Sequence, residues 1–232
     1  MGVGQQGSEA VVVVPSCLLT LELDRRLQGN HPRSKEMRGF FGRAFDHPLM
    51  HQHQEGKVLY RYPHVQYRWD WEKQCPVLYG VGEGALYLLE LPLVGLELSL
   101  GTECARITGV DSQLFQRSFR EGRGRYRFRS PWLPFKKWMN FEDRKALEEK
   151  LSRVIVSNVL IAARALGVNI NWRLQAEVTV QRELKPRHKG IVRQGFLAEV
   201  VFNAELPDHL GLGNAPSHGF GWLERMDDCL KR

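Results

Sequence analysis

The first patterned stretch of the chain is Ala10–Leu23. A β-branched run there gives way to Leu19, Leu21 and Leu23 alternating with Thr20 and Glu22, which predicts a strand. After a turn at Gln28–Pro32, Ser34 can cap a helix over Lys35–Phe45, with Met37, Phe40, Phe41, Ala44 and Phe45 on one side. Asp46–Gly56 is polar and holds His47, His51 and His53. Lys57–Trp71 and Pro76–Tyr79, rich in Val, Tyr and Trp, predict two further strands. Gly80–Gly84 reads as the entry to a short apolar helix near Ala85–Leu91, and Leu93–Leu100 alternates like a strand. The order β-α-β-β-α-β is the ferredoxin-like plan.

A second round begins near Cys104. Ile107–Arg129 is strand-like, and Asn140 is placed to cap the clearest helix of the chain. In that helix Leu147, Leu151, Val154, Ile155, Val159, Ala162 and Leu166 follow the 3.6-residue period, and Gly167 closes it. A long hairpin follows, Arg173–Leu184 and Ile191–Leu206, turning over Lys185–Gly190. A Gly-rich loop and a last strand near Phe220–Met226 complete a second β-α-β-β-α-β pattern whose second helix is shrunken. The expected class is α+β, with two tandem ferredoxin-like (RRM-like, βαββαβ) domains over 1–103 and 104–232.

Composition narrows the setting. Of 232 residues, 43% are hydrophobic and 25% charged, ordinary globular usage that excludes disordered, collagen-like and coiled-coil chains. The apolar stretches are too short to cross a bilayer, and no basic segment leads into an apolar one at the N-terminus. Cys17, Cys75, Cys104 and Cys229 form no CxxC pair. The expectation is a cytoplasmic protein with reduced thiols, no membrane association, no metal and no cofactor.

Charge changes the picture more. Lys and Arg number 33 against 26 Asp and Glu, a net +7. The window from Arg117 to Lys137 accounts for all of it, with Arg117, Arg120, Arg123, Arg125, Arg127, Arg129, Lys136 and Lys137 against Glu121 alone. A neutral chain with one basic stripe points to a polyanionic partner. Within Gly122–Ser130 an extended backbone sets Arg123, Arg125, Arg127 and Arg129 on one face, roughly 6.6 Å apart, the scale of the phosphate repeat in an extended nucleic-acid strand. A charged edge strand is the plain alternative.

The hairpin turn adds Arg182, Lys185, Arg187, Lys189 and Arg193, a basic ribbon suited to a groove or a stem, or an ordinary exposed turn. The segment Gly211–Gly221 offers backbone N–H groups that can converge on phosphate. It lacks the Gly-Lys-Ser/Thr ending of a nucleotide loop, and too little chain follows for a Rossmann crossover. His51 and His53 suit general acid–base chemistry, while zinc would require a third ligand.

Three stretches together carry a resemblance. Arg38-Gly-Phe-Phe-Gly42 resembles a first-helix motif, and Leu49-Met-His-Gln-His53 followed by Tyr60-Arg-Tyr-Pro-His-Val-Gln-Tyr67 is similar to a histidine-then-YxYPxxQY signature. The terminal loop ending Gly219-Phe-Gly221 looks like a superfamily glycine loop, although Pro216 and His218 interrupt it. In this order they resemble a CRISPR-associated endoribonuclease of the RAMP superfamily.

The resemblance implies two ferredoxin-like domains facing across a cleft, with CRISPR repeat RNA, the precursor of guide RNA, gripped by the glycine loop and hairpin. It implies metal-independent cleavage in which a ribose 2′-OH attacks its own 3′ phosphate, leaving a 2′,3′-cyclic phosphate and a 5′-OH. His51 or His53 would move protons and Lys57 would supply a cation. RNA contacts would fall to Arg38, the basic window, Lys185, Arg187, Lys189, Gly211, Gly213, His218, Gly219 and Gly221. Other CRISPR effector proteins and a second copy of the chain are open as partners. A non-catalytic RNA-binding subunit and a metal-dependent hydrolase built on His51 and His53 are the competing readings.

Overall fold

A computed structural model describes residues 13–27, 33–50, 53–54, 57–58 and 62–226. The chain opens with β1 (Val14–Leu23) and α1 (Ser34–Ala44), then a small separate ribbon of β2 (His53–Gln54) and β3 (Lys57–Val58). Next come β4 (Val65–Asp70), β5 (Cys75–Val81), α2 (Glu83–Leu89), β6 (Glu97–Leu100) and β7 (Glu103–Arg117). The first sheet has the antiparallel order β4-β5-β1-β7-β6, which is the ferredoxin-like arrangement with β6 added at one edge.

The structure moves the boundary between the two units. β7 pairs with β1 from Val14 opposite Arg117 to Leu23 opposite Ile107, so the first sheet runs to Arg117 and does not stop at residue 103. Residues 93–100, expected to be the fourth strand, supply only the outer edge β6. The cause is weak patterning: β7 buries only Ala105 and Ile107, so nothing in its alternation separates it from the basic strand that follows.

The second unit repeats the plan with β8 (Arg120–Phe128), α3 (Arg144–Ala165), β9 (Ala176–Leu184), the tip ribbon β10 (Arg187–His188) and β11 (Ile191–Val192), β12 (Gly195–Glu205) and β13 (Leu223–Arg225). Its sheet order is β13-β8-β12-β9. The α3 cap is Asp143, whose carboxylate accepts from Ala146 N at 2.7 Å, three positions after the expected Asn140. Gly167 takes the left-handed conformation (φ +75°) that ends the helix. The place of a second helix is taken by residues 206–222, helical only in a 3-10 turn at Pro216–His218. The fold is therefore α+β with two tandem ferredoxin-like units.

Alternation in the first sheet then decides how the units meet. Cys17, Leu19, Leu21, Val65, Tyr67, Trp69 and Leu78 point into a core shared with α1 and α2. Val14, Leu18, Val77, Tyr79 and Val81 point the other way and join the core of the second unit. All six residues of β4 are buried although β4 ends its sheet, because the segment after β12 lies against it. An apolar seam of this kind is a continuation of the core and not a hinge.

Candidate nucleic-acid interface

Residues 206–222 are fastened to the first sheet by polar side chains. The Tyr79 hydroxyl donates to Asp208 O at 2.8 Å, and Tyr62 donates to Gly211 O at 2.9 Å. Gln66 Nε2 donates to the Tyr62 oxygen at 3.0 Å. Arg68 Nη2 donates to Gln66 Oε1 at 2.7 Å and to His209 O. The Arg68 guanidinium stacks 4.3 Å from the Tyr79 ring and 4.7 Å from the Trp222 ring. It forms no ion pair among the described residues, and burial pushes its pKa down to about 9. Tyr62 and Gln66, both from the tyrosine-rich signature, thus bind the two units together.

The glycines of this loop are explained by packing. Gly213, Gly219 and Gly221 have φ of +88°, +83° and +67°. A Cβ at Gly219 would strike Ser34 and the Tyr67 carbonyl, and one at Gly221 would strike the Leu212 carbonyl. At Gly211 it would strike the Gln66 amide, and at Gly213 the Trp132 indole. Gly219 N donates to Pro216 O and Gly221 N to Pro131 O, each at 3.0 Å, so these two amides are already engaged within the protein.

The arginine row alternates as expected: Arg123, Arg125 and Arg127 are exposed while Gly124, Tyr126 and Phe128 are buried. Carboxylates on neighbouring strands face it. Arg120 pairs with Glu205, Arg125 with Glu199 at 3.4 Å and Arg127 with Glu224 at 2.7 Å. Arg129 reaches Glu224 at 3.3 Å and Glu72 at 3.4 Å. Arg117 lies in β7, off this row, and braces the units through Asp208 at 3.1 Å. The sequence window hid these acids because they lie elsewhere in the chain: Glu199 and Glu205 in β12, Glu224 in β13, Glu72 after β4 and Asp208 after β12.

Cations without such partners gather at the hairpin. Lys136, Lys137, Lys185, Arg187 and Lys189 are exposed and form no ion pair among the described residues. They share one side of the molecule: Arg193 donates to Lys136 O, and Lys185 Nζ lies 5.5 Å from the Trp138 ring. Where this patch meets the first unit, Arg38 Nη1 lies 2.9 Å from His218 Nε2. A guanidinium only donates, so Nε2 accepts and the His218 proton sits on Nδ1. The His188 ring stands edge-on to His218, 4.9 Å between centroids, with its own Nε2 buried and without a hydrogen-bond partner among the described residues.

Burial pushes the His218 pKa down to about 3, helped by Arg38, His188, Lys189 and Lys35. His188 is lowered by burial first and by Lys189, Arg193, Arg38 and Lys35 after it. Two neutral imidazoles within a ring of cations make a setting that an anion would relieve. Burial also lowers the Arg38 pKa, against an opposing contribution from Tyr67.

Of the proposed proton-transfer residues, His51 lies outside the described residues, and His53 and Lys57 are described only by their places in the β2–β3 ribbon. The residue before His51 is fixed: the Tyr67 hydroxyl donates to Met50 O at 2.7 Å.

Residues 16–118 match the family model of the Cas6b N-terminal domain, and residues 118–226 match that of the Cas6b C-terminal domain. The chain belongs to the Cas6b family.

A structure described as Cas6b is 23% identical, covers 93% of this chain and 100% of its own, and superposes with a TM-score of 0.79. A CRISPR RNA processing endoribonuclease Cas6b is 22% identical over 92% of this chain and 100% of its own, with a TM-score of 0.67. Csf5, a type IV Cas6 crRNA endonuclease, is 14% identical over 93% and 100%, with a TM-score of 0.58. The uncharacterised protein MJ0978 of Methanocaldococcus jannaschii is 27% identical over 138 residues, 57% of this chain and 94% of its own. The Cas6b domain models divide at residue 118, where the first sheet ends. Among the described residues of this Cas6b chain no helix is long and apolar enough to cross a membrane.

Several residues of this candidate interface are not legible in the sequence. His188 sat unremarked in a basic turn, and only the fold sets it against His218. Arg68 and Tyr79 lie in strands whose alternation marks two buried faces but not the second unit beyond one of them. The buried histidines carry a consequence for pH. His209, which accepts from Trp222 Nε1 at 3.0 Å, is also lowered to about 3, by burial first and then by Arg68, Arg129 and Arg117. Between about pH 6.5 and 3 the unfolded chain binds protons that folded His209 and His218 do not, so stability is complete above this window and falls as pH drops through it. Melting temperatures measured across the window should decline on the acid side, and His218→Gln should make the decline shallower.

Proposed function

We propose that this Cas6b protein cleaves CRISPR repeat RNA without a metal ion, by attack of a ribose 2′-OH on its own 3′ phosphate, and so releases guide units. The observation that carries the reading is a chain of contacts leading to the histidine segment. Met50 precedes His51, and its carbonyl accepts from Tyr67; Tyr67 stacks on Phe41 of α1, the helix whose Arg38 bonds His218 beside the cationic hairpin. Met50, the residue before His51, is therefore tied to the helix that meets the surface best suited to an RNA backbone.

The chemistry requires a base for the 2′ proton, an acid for the departing 5′ oxygen and a cation for the phosphorane. His51 or His53 moves the protons and Lys57 supplies the cation. One relative being described as a CRISPR RNA processing endoribonuclease supports the substrate. The test is incubation with repeat RNA in EDTA. Cleavage that leaves a 2′,3′-cyclic phosphate and stops with a single 2′-deoxy substitution at the scissile nucleotide supports the proposal. Intact RNA that still shifts on a gel indicates a binding subunit, and activity lost in EDTA indicates a metal-dependent hydrolase.

Affinity should depend unequally on the two basic features. Arg125→Ala with Arg127→Ala removes cations already faced by Glu199 and Glu224. It should weaken binding and flatten the salt dependence, by up to about 0.7 in log–log slope per lost contact. Arg187→Ala with Lys189→Ala removes cations without ion-pair partners among the described residues and should cost more. Binding titrations over a salt series check the order, and equal losses would contradict it.

A further inference from the structure

A pocket of about 580 Å³ lies at the seam between the units, walled by Arg68 and Trp71 from the first and by Arg129, Arg187, Phe220 and Trp222 from the second. Its size is that of small-ligand sites, about 300–1,000 Å³. Trp71 is 43% exposed and stands in the wall of this pocket, so its indole offers an aromatic face to an occupant. It is also held still. Asp70 Oδ1 accepts from Glu72 N at 2.9 Å and Lys73 N at 3.1 Å, and Gln74 Nε2 donates to Trp71 O at 2.7 Å, so the turn that carries the ring is locked on both sides.

The polar lining points to the kind of occupant. Arg129 is engaged by Glu224 and Glu72 and lies 4.8 Å over the Trp222 ring, so it shapes the wall. Arg187 forms no ion pair among the described residues. Arg68, 1% exposed, keeps Nη1 buried without a hydrogen-bond partner among the described residues, a donor that lacks its acceptor there. A free anion would satisfy the arginines but leave Trp71 bare, and an apolar ligand would do the reverse. A ligand with an aromatic ring edged by acceptors and a phosphate attached satisfies all three.

We propose that this pocket receives one unpaired nucleotide of the bound RNA, its base stacked on Trp71 with its edge toward Arg68 and its phosphate toward Arg187. The inference rests on the RNA-processing reading and adds to it a receptor for a splayed base, the element that single-stranded recognition uses.

The experiment titrates the full-length protein with AMP, CMP, GMP, UMP and ribose 5-phosphate by calorimetry, beside Trp71→Ala and Trp71→Phe. The nucleotides should bind about fivefold or more tighter than ribose 5-phosphate. Trp71→Ala should erase that advantage while leaving ribose 5-phosphate affinity unchanged, and Trp71→Phe should restore most of it. Nucleotides that fail to bind, that bind no better than ribose 5-phosphate, or that ignore Trp71→Ala would overturn the proposal. A parallel gel shift with a short oligoadenylate separates the two levels. If the wild-type protein shifts RNA but shows no base-dependent pocket, only the pocket assignment falls; if it does not shift RNA, the RNA reading itself falls.

Discussion

His51→Ala or His53→Ala should lower single-turnover cleavage of repeat RNA about a hundredfold or more, while affinity for uncleavable 2′-deoxy RNA stays nearly unchanged. General acid–base transfer by a positioned side chain is worth about 10²–10⁴ in rate. Binding is expected to depend instead on the cationic hairpin, Arg187 and Lys189 foremost. The pair of measurements separates chemistry from grip. If each single variant cuts at the wild-type rate, the proton-transfer assignment is wrong, and His188 and His218 become the imidazoles to test next.

The second large effect concerns stability. Gly221→Ala should destabilise the protein by about 3 kcal/mol or more, because it adds a Cβ to a residue at φ +67° whose Cβ position is occupied by the Leu212 backbone. At about 2–4 °C per kcal/mol for a chain near this size, melting should fall by about 6–12 °C. Gly95→Ala is the control: Gly95 has φ +91°, but a Cβ there meets nothing within 4 Å, so only the conformational strain remains, about 1 kcal/mol. Equal melting losses in the two variants would show that the loop yields easily. The comparison bears on function, since an inactive Gly221 variant would otherwise be misread as a lost phosphate contact.

Local order was legible in the sequence and long-range adjacency was not. The α3 stripe from Leu147 to Leu166 and the alternation around Tyr126 gave the right elements because each depends only on near neighbours. β7 was joined to the wrong unit because its exposed outer half has no pattern to reveal its partner β1. The arginine row was read correctly as a row, but its charge was overestimated, since Glu199, Glu205 and Glu224 face it across strands separated by many residues. The glycine loop is legible by composition, while the neighbours that demand its glycines, Gln66, Trp132 and Leu212, are not. The tyrosine signature was noticed, and its work as a fastening between units emerged only from the structure.

The two-faced first sheet constrains how such a protein can change over time. Each half supplies the wall that keeps the other dry: cut apart, the first would present Val14, Leu18, Val77, Tyr79 and Val81 to water, and Arg68 would lose the aromatic ring and the carbonyl lent by the second. Shuffling of halves between relatives is therefore closed as a route to new specificities unless the residues along their junction travel as a matched set. Diversification is left to exposed positions whose side chains touch neither wall.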